Sequence, residues 1–320
     1  MKILVTGGSG FIGTHLIERL LDDSKNVVVS ADNLSAGLKK NAEKFNNNKN
    51  YEFVNLDITD EKGLNALFAR AKFDVVYHLA ANSNVMLGGT NPRIDRKNTL
   101  ETTLTLLECM AVNGVKNLFF SSTSSVYGNH SDEFLHETTG GLKPISYYGG
   151  FKLASEAAIS AFAYMNDLNC LVFRFPNVIG GGLTHGVIFD FVNRLIANSA
   201  KLDVLGNGTQ NKEYIFIDDL IDAIFFAVEK VGFAPGFELL NVGSNSTTSV
   251  KQIAEMTVAA MKLKDTQISY SEGDVGWKGD VNRFKFDTKK IAKLGWTAKF
   301  TSDQAVTKTI ETFLAEIGYK

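Results

Sequence analysis

Tyr148 and Lys152 stand four residues apart in SYYGGFK (146–152). On a helix of 3.6 residues per turn that spacing puts both side chains on one face, with about 6 Å of rise between them. A phenol and an ammonium so placed can reach one ligand together, whereas Tyr147, five residues from Lys152, points elsewhere. A free tyrosine has a pKa near 10 and is a poor base at neutral pH, but nearby positive charge favours the phenolate. Because Y-x-x-x-K is frequent by chance, the rest of the chain has to supply its context.

A second set of residues has the chemistry of phosphate binding. TGGSGFIG (6–13) places Gly7, Gly10 and Gly13 at a strand-to-helix junction. Glycines there allow a tight turn, let backbone amides approach a pyrophosphate, and let the next helix pack close to the sheet. The helix N-terminus then turns its positive end to the phosphates. Asp32 follows the second apolar strand, where a carboxylate receives ribose hydroxyls and repels a 2′-phosphate, favouring NAD over NADP. The alternative is that Asp32 only caps the turn of ADNLSAG. Asp57 and Ile58, after the third strand, can hold and cover the adenine; a capping role for Asp57 is the alternative.

Alternating strands and helices must position these groups. Apolar strands are predicted at Met1–Thr6, Asn26–Ala31, Tyr51–Asn55, Asp74–Leu79, Asn117–Ser121 and Cys170–Phe175. Helical patterns lie at Phe11–Leu21, Glu61–Ala71, Thr99–Val112 and Tyr148–Asn166, and the asparagine-rich KKNAEKFNNNKN reads as a solvated loop or frayed helix. This rhythm implies α/β architecture with a doubly wound parallel sheet. After Phe175 the pattern loosens, with turn signals at 206–208 and 243–246, into a smaller mixed α/β part placed over the C-terminal edge of the sheet. The expected division is 1–173 for dinucleotide binding and 174–320 mainly for substrate, with some later segments returning to the first domain.

Composition narrows the classes of function. Of 320 residues, 44% are hydrophobic and 21% charged, and 33 basic against 35 acidic residues give a net charge of −2. No basic stripe marks a nucleic-acid partner, and no apolar run reaches membrane length. Two distant cysteines, Cys109 and Cys170, argue against zinc and for a reducing cytoplasm. No metal site is expected. His78 reads as structural, His15 as a helix residue, and His130 and His136 as loop residues.

Several blocks in order resemble the extended short-chain dehydrogenase/reductases, specifically the NAD-dependent epimerase/dehydratase family and, within it, UDP-glucose 4-epimerase-like proteins. They are TGGSGFIG, DNLSAG, HLAA (78–81), Asn98, SSTSSVYG (121–128), Tyr148 with Lys152, RFPNVIG (174–180) and GNGTQNKEYIFIDDL (206–220). GDV (279–281) ahead of FDTKKIAKLGW is similar too, so the resemblance spans essentially the whole chain. It implies a Rossmann-type fold with Tyr148 as acid/base, Lys152 as its partner and Thr123 as the hydroxyl that steadies the reacting oxygen. It also implies cofactor contacts from Phe11, Ile12 and Asn33, from Leu79, Ala80 and Ala81, and from Asn98, Ser121 and Phe175. Substrate contacts implied are Asn82, Thr123, Ser124, Asn177, Val187, Lys212 and Tyr214, while His185 reads equally as a substrate contact or as a turn residue.

Departures from the family pattern refine this. Similar 4,6-dehydratases have Asp-Glu after the threonine, and sugar-acid decarboxylases a glutamate at the second place; Ser124 and Ser125 here cannot do that proton work. Lys212 and Trp277 stand where relatives have diphosphate-binding arginines, and lysine is a point charge rather than a fork. Trp277 is expected in the core. Phe151 replaces a small hydroxyl residue, and Gly149 and Gly150 weaken a helix start.

The leading expectation is an NAD-dependent nucleotide-sugar 4-epimerase acting through a keto-sugar, on a UDP-sugar before GDP- or CDP-sugars. The alternatives are a nucleotide-sugar C4 dehydrogenase or reductase, then a dehydratase, a decarboxylase or a non-catalytic NAD-binding protein. A homodimer is expected through the apolar helices Thr99–Val112 and Tyr148–Asn166, as in similar proteins; the alternative is that these apolar faces simply cover the sheet.

Overall fold

The computed structural model describes residues 1–129 and 134–319, so His130 lies outside the described residues. The chain forms two compact units: 1–126, 146–174 and 227–240 in the first, and 127–145, 175–226 and 241–320 in the second. Residues 127–145 cluster with the second unit, and 227–240, which closes the sheet edge, returns to the first.

The first unit is built on a seven-stranded sheet of Rossmann type. Its spatial order is Gly236–Asn241, Asn169–Arg174, Asn117–Ser121, Val75–His78, Lys2–Thr6, Val27–Asp32 and Tyr51–Asn55. The strands from Asn169–Arg174 to Tyr51–Asn55 pair in parallel throughout. Parallel strands covered on both faces need unbroken apolar runs, which VVVSAD and CLVFR supply. Leu4, Val29, Val76, Leu118 and Val172 form one core layer with Leu64 and Phe68, Leu106 and Met110, and Ile159 and Ala163 of three covering helices. Each such buried side chain contributes about 1.5–3 kcal/mol.

Those helices run Glu61–Ala71, Thr102–Asn113 and Tyr147–Asn166. The helix expected from Thr99 begins earlier and irregularly, as a π-helical turn at Arg96–Glu101. Such turns cluster at functional sites, and this one carries Asn98. KKNAE at 39–43 is a short helix within the asparagine-rich stretch.

The second unit uses short paired strands. Asn177–Ile179 lies parallel to Tyr214–Phe216, Lys201–Val204 to Gln267–Tyr270, and Phe134–Leu135 to Lys285–Phe286. Helices Val187–Ala197, Val250–Ala260 and Ser302–Glu316 accompany them, the last two opened by capping boxes at Ser249 and Thr301. Each cap stabilises its helix by about 1 kcal/mol. Inside this unit the buried Glu213 carboxylate accepts from the amides of Asn245 (2.7 Å) and Phe286 (3.1 Å), which ties three chain segments together.

Candidate active site

The glycine turn opens the first unit's site. Gly7 has φ +71°, and a Cβ there would lie 2.7 Å from the Ala80 amide nitrogen, so only glycine fits. Helix Phe11–Leu21 starts at Gly10 with no side-chain cap and no acidic residue in its first turn. Its first amides are thus left for an anion. Asp32 is buried, and its two carboxylate oxygens accept from the amides of Ser9 (3.0 Å) and Leu34 (2.8 Å). Burial raises its pKa and these bonds oppose the rise. Each oxygen keeps a second lone pair for a ribose hydroxyl, so the turn-capping role and the ribose role coexist. The Ser9 hydroxyl beside it is buried without a partner. These features fit a dinucleotide: an open helix end, bare glycines and a carboxylate beside an unused hydroxyl.

The remaining expected cofactor residues border this turn or the strand ends. Leu79 and Ala80 donate backbone N–H groups to Thr6, and Ala81 follows them. Ile58 is buried. Asp57 is bonded to Thr59 and to the Lys97 ammonium (3.0 Å); burial works against ionisation, but these partners win and hold it at about 2. The Asn33 side chain accepts from the Ser35 amide, and Phe175 clusters with the second unit.

Tyr148, Lys152 and Thr123 come together in the first unit. Ser146 caps the Tyr147–Asn166 helix by accepting from the Gly149 amide at 3.1 Å, which fixes where Tyr148 enters. Tyr148 is half-buried, and its hydroxyl is surrounded by protein. Burial pushes the phenol up to about 12, a hydrogen bond with Thr123 pulls it down, and the Asp95 carboxylate pushes it up again. Lys152 is buried; its ammonium donates to the Ser121 carbonyl (2.5 Å) and sits 4.6 Å from the centre of the Phe120 ring. Burial lowers its pKa to about 7, against the Glu156 carboxylate, which favours the charged form. Thr123 accepts from the Ser125 amide (3.2 Å) just ahead of a 3-10 turn at Ser124–Tyr127, and Ser124 is buried there.

Asn82, expected to meet substrate, has its amide bonded to Asp95 (2.7 Å) and to the Asn84 carbonyl (2.9 Å). The His78 ring lies between the hydroxyls of Thr6 and Thr103, and burial, then the Lys152 charge, drops its pKa to about 3. It is a neutral structural group. Sequence reasoning missed Asp95, Glu156 and Arg174, although Glu156 continues the four-residue spacing from Tyr148 and Lys152.

In the second unit, Asn177 donates to the Glu213 carbonyl at 3.4 Å. Val187 opens an 11-residue helix whose N-cap, Gly186, brings no side-chain cap. His185 is exposed and bonded only to its neighbour Thr184 among the described contacts. Lys212 is ion-paired with Asp280. Tyr214 is buried, and burial raises the pKa of its hydroxyl. Trp277, expected in the core, is half-exposed. Among the described residues no three His, Cys, Asp or Glu side chains are grouped to hold a metal ion.

Comparison with known proteins places the whole chain beside nucleotide-sugar enzymes. A UDP-glucose 4-epimerase of Mycolicibacterium smegmatis is 31% identical over 319 residues, 98% of each chain. A human dTDP-D-glucose 4,6-dehydratase is 30% identical, over 98% of this chain and 89% of its own. A UDP-glucose 4-epimerase of Thermotoga maritima, solved with UDP-glucose, superposes with a TM-score of 0.87 at 31% identity, covering 99% of this chain and 100% of that one. Residues 3–243 match the model of the NAD dependent epimerase/dehydratase family, to which the chain therefore belongs.

Proposed function

We propose that the chain is an NAD-dependent nucleotide-sugar 4-epimerase of the UDP-glucose/UDP-galactose type. The observation that carries this reading is the Tyr148 phenol beside Thr123, with buried Lys152 one turn on and serines, not carboxylates, at 124 and 125. A dehydratase needs an acid and a base for elimination, and neither serine ionises at neutral pH. The likeness to epimerases weighs the same way.

Tyr148 takes the proton of the C4 hydroxyl and later returns it, and Thr123 donates to the oxygen that becomes a carbonyl. NAD, when bound, supplies the acceptor and then the donor of the hydride. The Lys152 charge favours the phenolate that burial disfavours. Gly7, Gly10 and Gly13 with Phe11 and Ile12 hold the pyrophosphate, and Asp32 the adenosine ribose. Asn177, Lys212 and the N-terminus of helix Val187–Ala197 hold the diphosphate of a UDP-sugar. We place the protein in a reducing cytoplasm, since both cysteines are buried and unpaired and no described helix can cross a membrane. It works as a homodimer through helices Thr102–Asn113 and Tyr147–Asn166.

The test is to incubate purified protein with UDP-, GDP- and CDP-sugars under NMR without added cofactor. Inversion at C4 of a UDP-sugar is expected. Accumulating keto-sugar with NADH absorbance would instead make the chain a dehydrogenase, and loss of water at C5–C6 a dehydratase.

A further inference from the structure

The helix Tyr147–Asn166 meets the end of strand Asn117–Ser121 at three successive residues. Tyr148 lies beside Thr123, Lys152 bonds to the carbonyl of Ser121, and Glu156 accepts from the hydroxyl of Ser122. The helix residues follow at i, i+4 and i+8, so one side of the helix carries all three. Glu156 is 4% exposed and is also held by Arg174 of the neighbouring strand, from Nε at 2.9 Å and Nη2 at 2.6 Å. Ser122 is fixed from the other side, its amide donating to the Phe173 carbonyl at 2.7 Å.

A buried ion pair is a poor stabiliser, because the desolvation cost can exceed the attraction, and well-packed apolar residues do as well. Its geometric effect is specific, however. A bidentate guanidinium–carboxylate pair fixes the carboxylate plane, and here that plane sets the rotamer of the residue next to Thr123. We infer that Glu156, with Arg174 and Ser122, is a positioning unit for the Tyr148–Lys152–Thr123 group. It locks the helix to the strand end and supplies the carboxylate that faces the Lys152 ammonium. Also facing that ammonium are the neutral His78 ring of strand Val75–His78 and the Phe120 ring; the Asp95 carboxylate acts on Tyr148.

The inference rests on the proposed function only for its kinetic arm. Ser122→Ala is expected to lower kcat about tenfold with KM and bound dinucleotide unchanged, the loss of a transition-state interaction rather than of binding. Glu156→Leu with Arg174→Met removes both charges at once, so it folds with near wild-type thermal stability. Its kcat stays low, and its rate falls at a lower pH than wild type as Lys152 loses its proton. A structural pair would instead give full activity back together with stability. An arm independent of turnover follows the Lys152 resonance in [13Cε]lysine-labelled protein, assigned by its absence in Lys152→Arg. The titration midpoint is expected to move to lower pH in the double variant. An unmoved midpoint, or a double variant with wild-type kcat, overturns the inference, and the labelled-lysine result stands even if no sugar nucleotide is converted.

Discussion

Lys152 and Tyr148 are both ionisable groups that burial moves away from their charged forms, and the sign of each effect can be read in stability. Lys152 sits at about 7 in the folded chain against 10.5 for the free group. Below 7 both states hold the proton and the burial penalty is fully present. Between 7 and 10.5 the unfolded chain holds more protons, so stability rises with pH. Tyr148 sits at about 12 against 10.0, so above 10 the folded chain holds more protons and stability falls. Urea unfolding of cofactor-free protein is therefore expected to show a midpoint that rises from pH 7 to 9, and Lys152→Met should flatten that rise. An equal slope in the variant would assign the rise to other groups. In turnover, Tyr148→Phe should lower kcat at least about 100-fold, the usual scale for losing a positioned acid/base, while absorbance still reports bound NAD.

At the scale of the element, the two glycines at the start of helix Tyr147–Asn166 separate two physical effects. Replacing glycine by alanine inside a helix gains about 1 kcal/mol if nothing else changes. A Cβ at Gly150 meets nothing within 4 Å, so Gly150→Ala should stabilise by about that amount in urea unfolding. A Cβ at Gly149 would sit 2.5 Å from the Ser125 carbonyl oxygen, in the turn that carries Thr123. Gly149→Ala should therefore destabilise and cut kcat; a stabilising result would show that the turn yields freely. The sequence made the glycines look like a plain weakness, because a close approach between residues 125 and 149 is a tertiary fact. What could be read in advance had a local cause. Strand Tyr51–Asn55 and helices Phe11–Leu21 and Glu61–Ala71 appear at their expected ends because period and boundary residues agree there. The π-helical turn at Arg96–Glu101 and the Glu156–Arg174 pair had no local signal, since one is a backbone shift and the other joins separate segments. Asp32 and the glycines were legible because phosphate and ribose demand particular residues at particular spacings.

At the scale of the whole molecule, the three most exposed large apolar side chains among the described residues lie on the helices proposed to pair. Val112 is 80% exposed, Tyr164 86% and Met165 76%, near the C-terminal ends of Thr102–Asn113 and Tyr147–Asn166. A monomer with a net charge of −2 has little electrostatic repulsion to keep such patches apart. Light scattering should give twice the chain mass of 35.0 kDa for the native protein, and close to that mass for Tyr164→Glu with Met165→Lys. The residues proposed to hold the dinucleotide all belong to one chain, so the monomeric variant should keep its bound NAD. Its Lys152 and Tyr148 lie on the same helix as the new charges, so a fall in kcat without loss of cofactor would place the dimer's contribution in the rigidity of that helix. A native protein that scatters as a monomer, or a variant that still scatters as a dimer, would remove these helices as the contact.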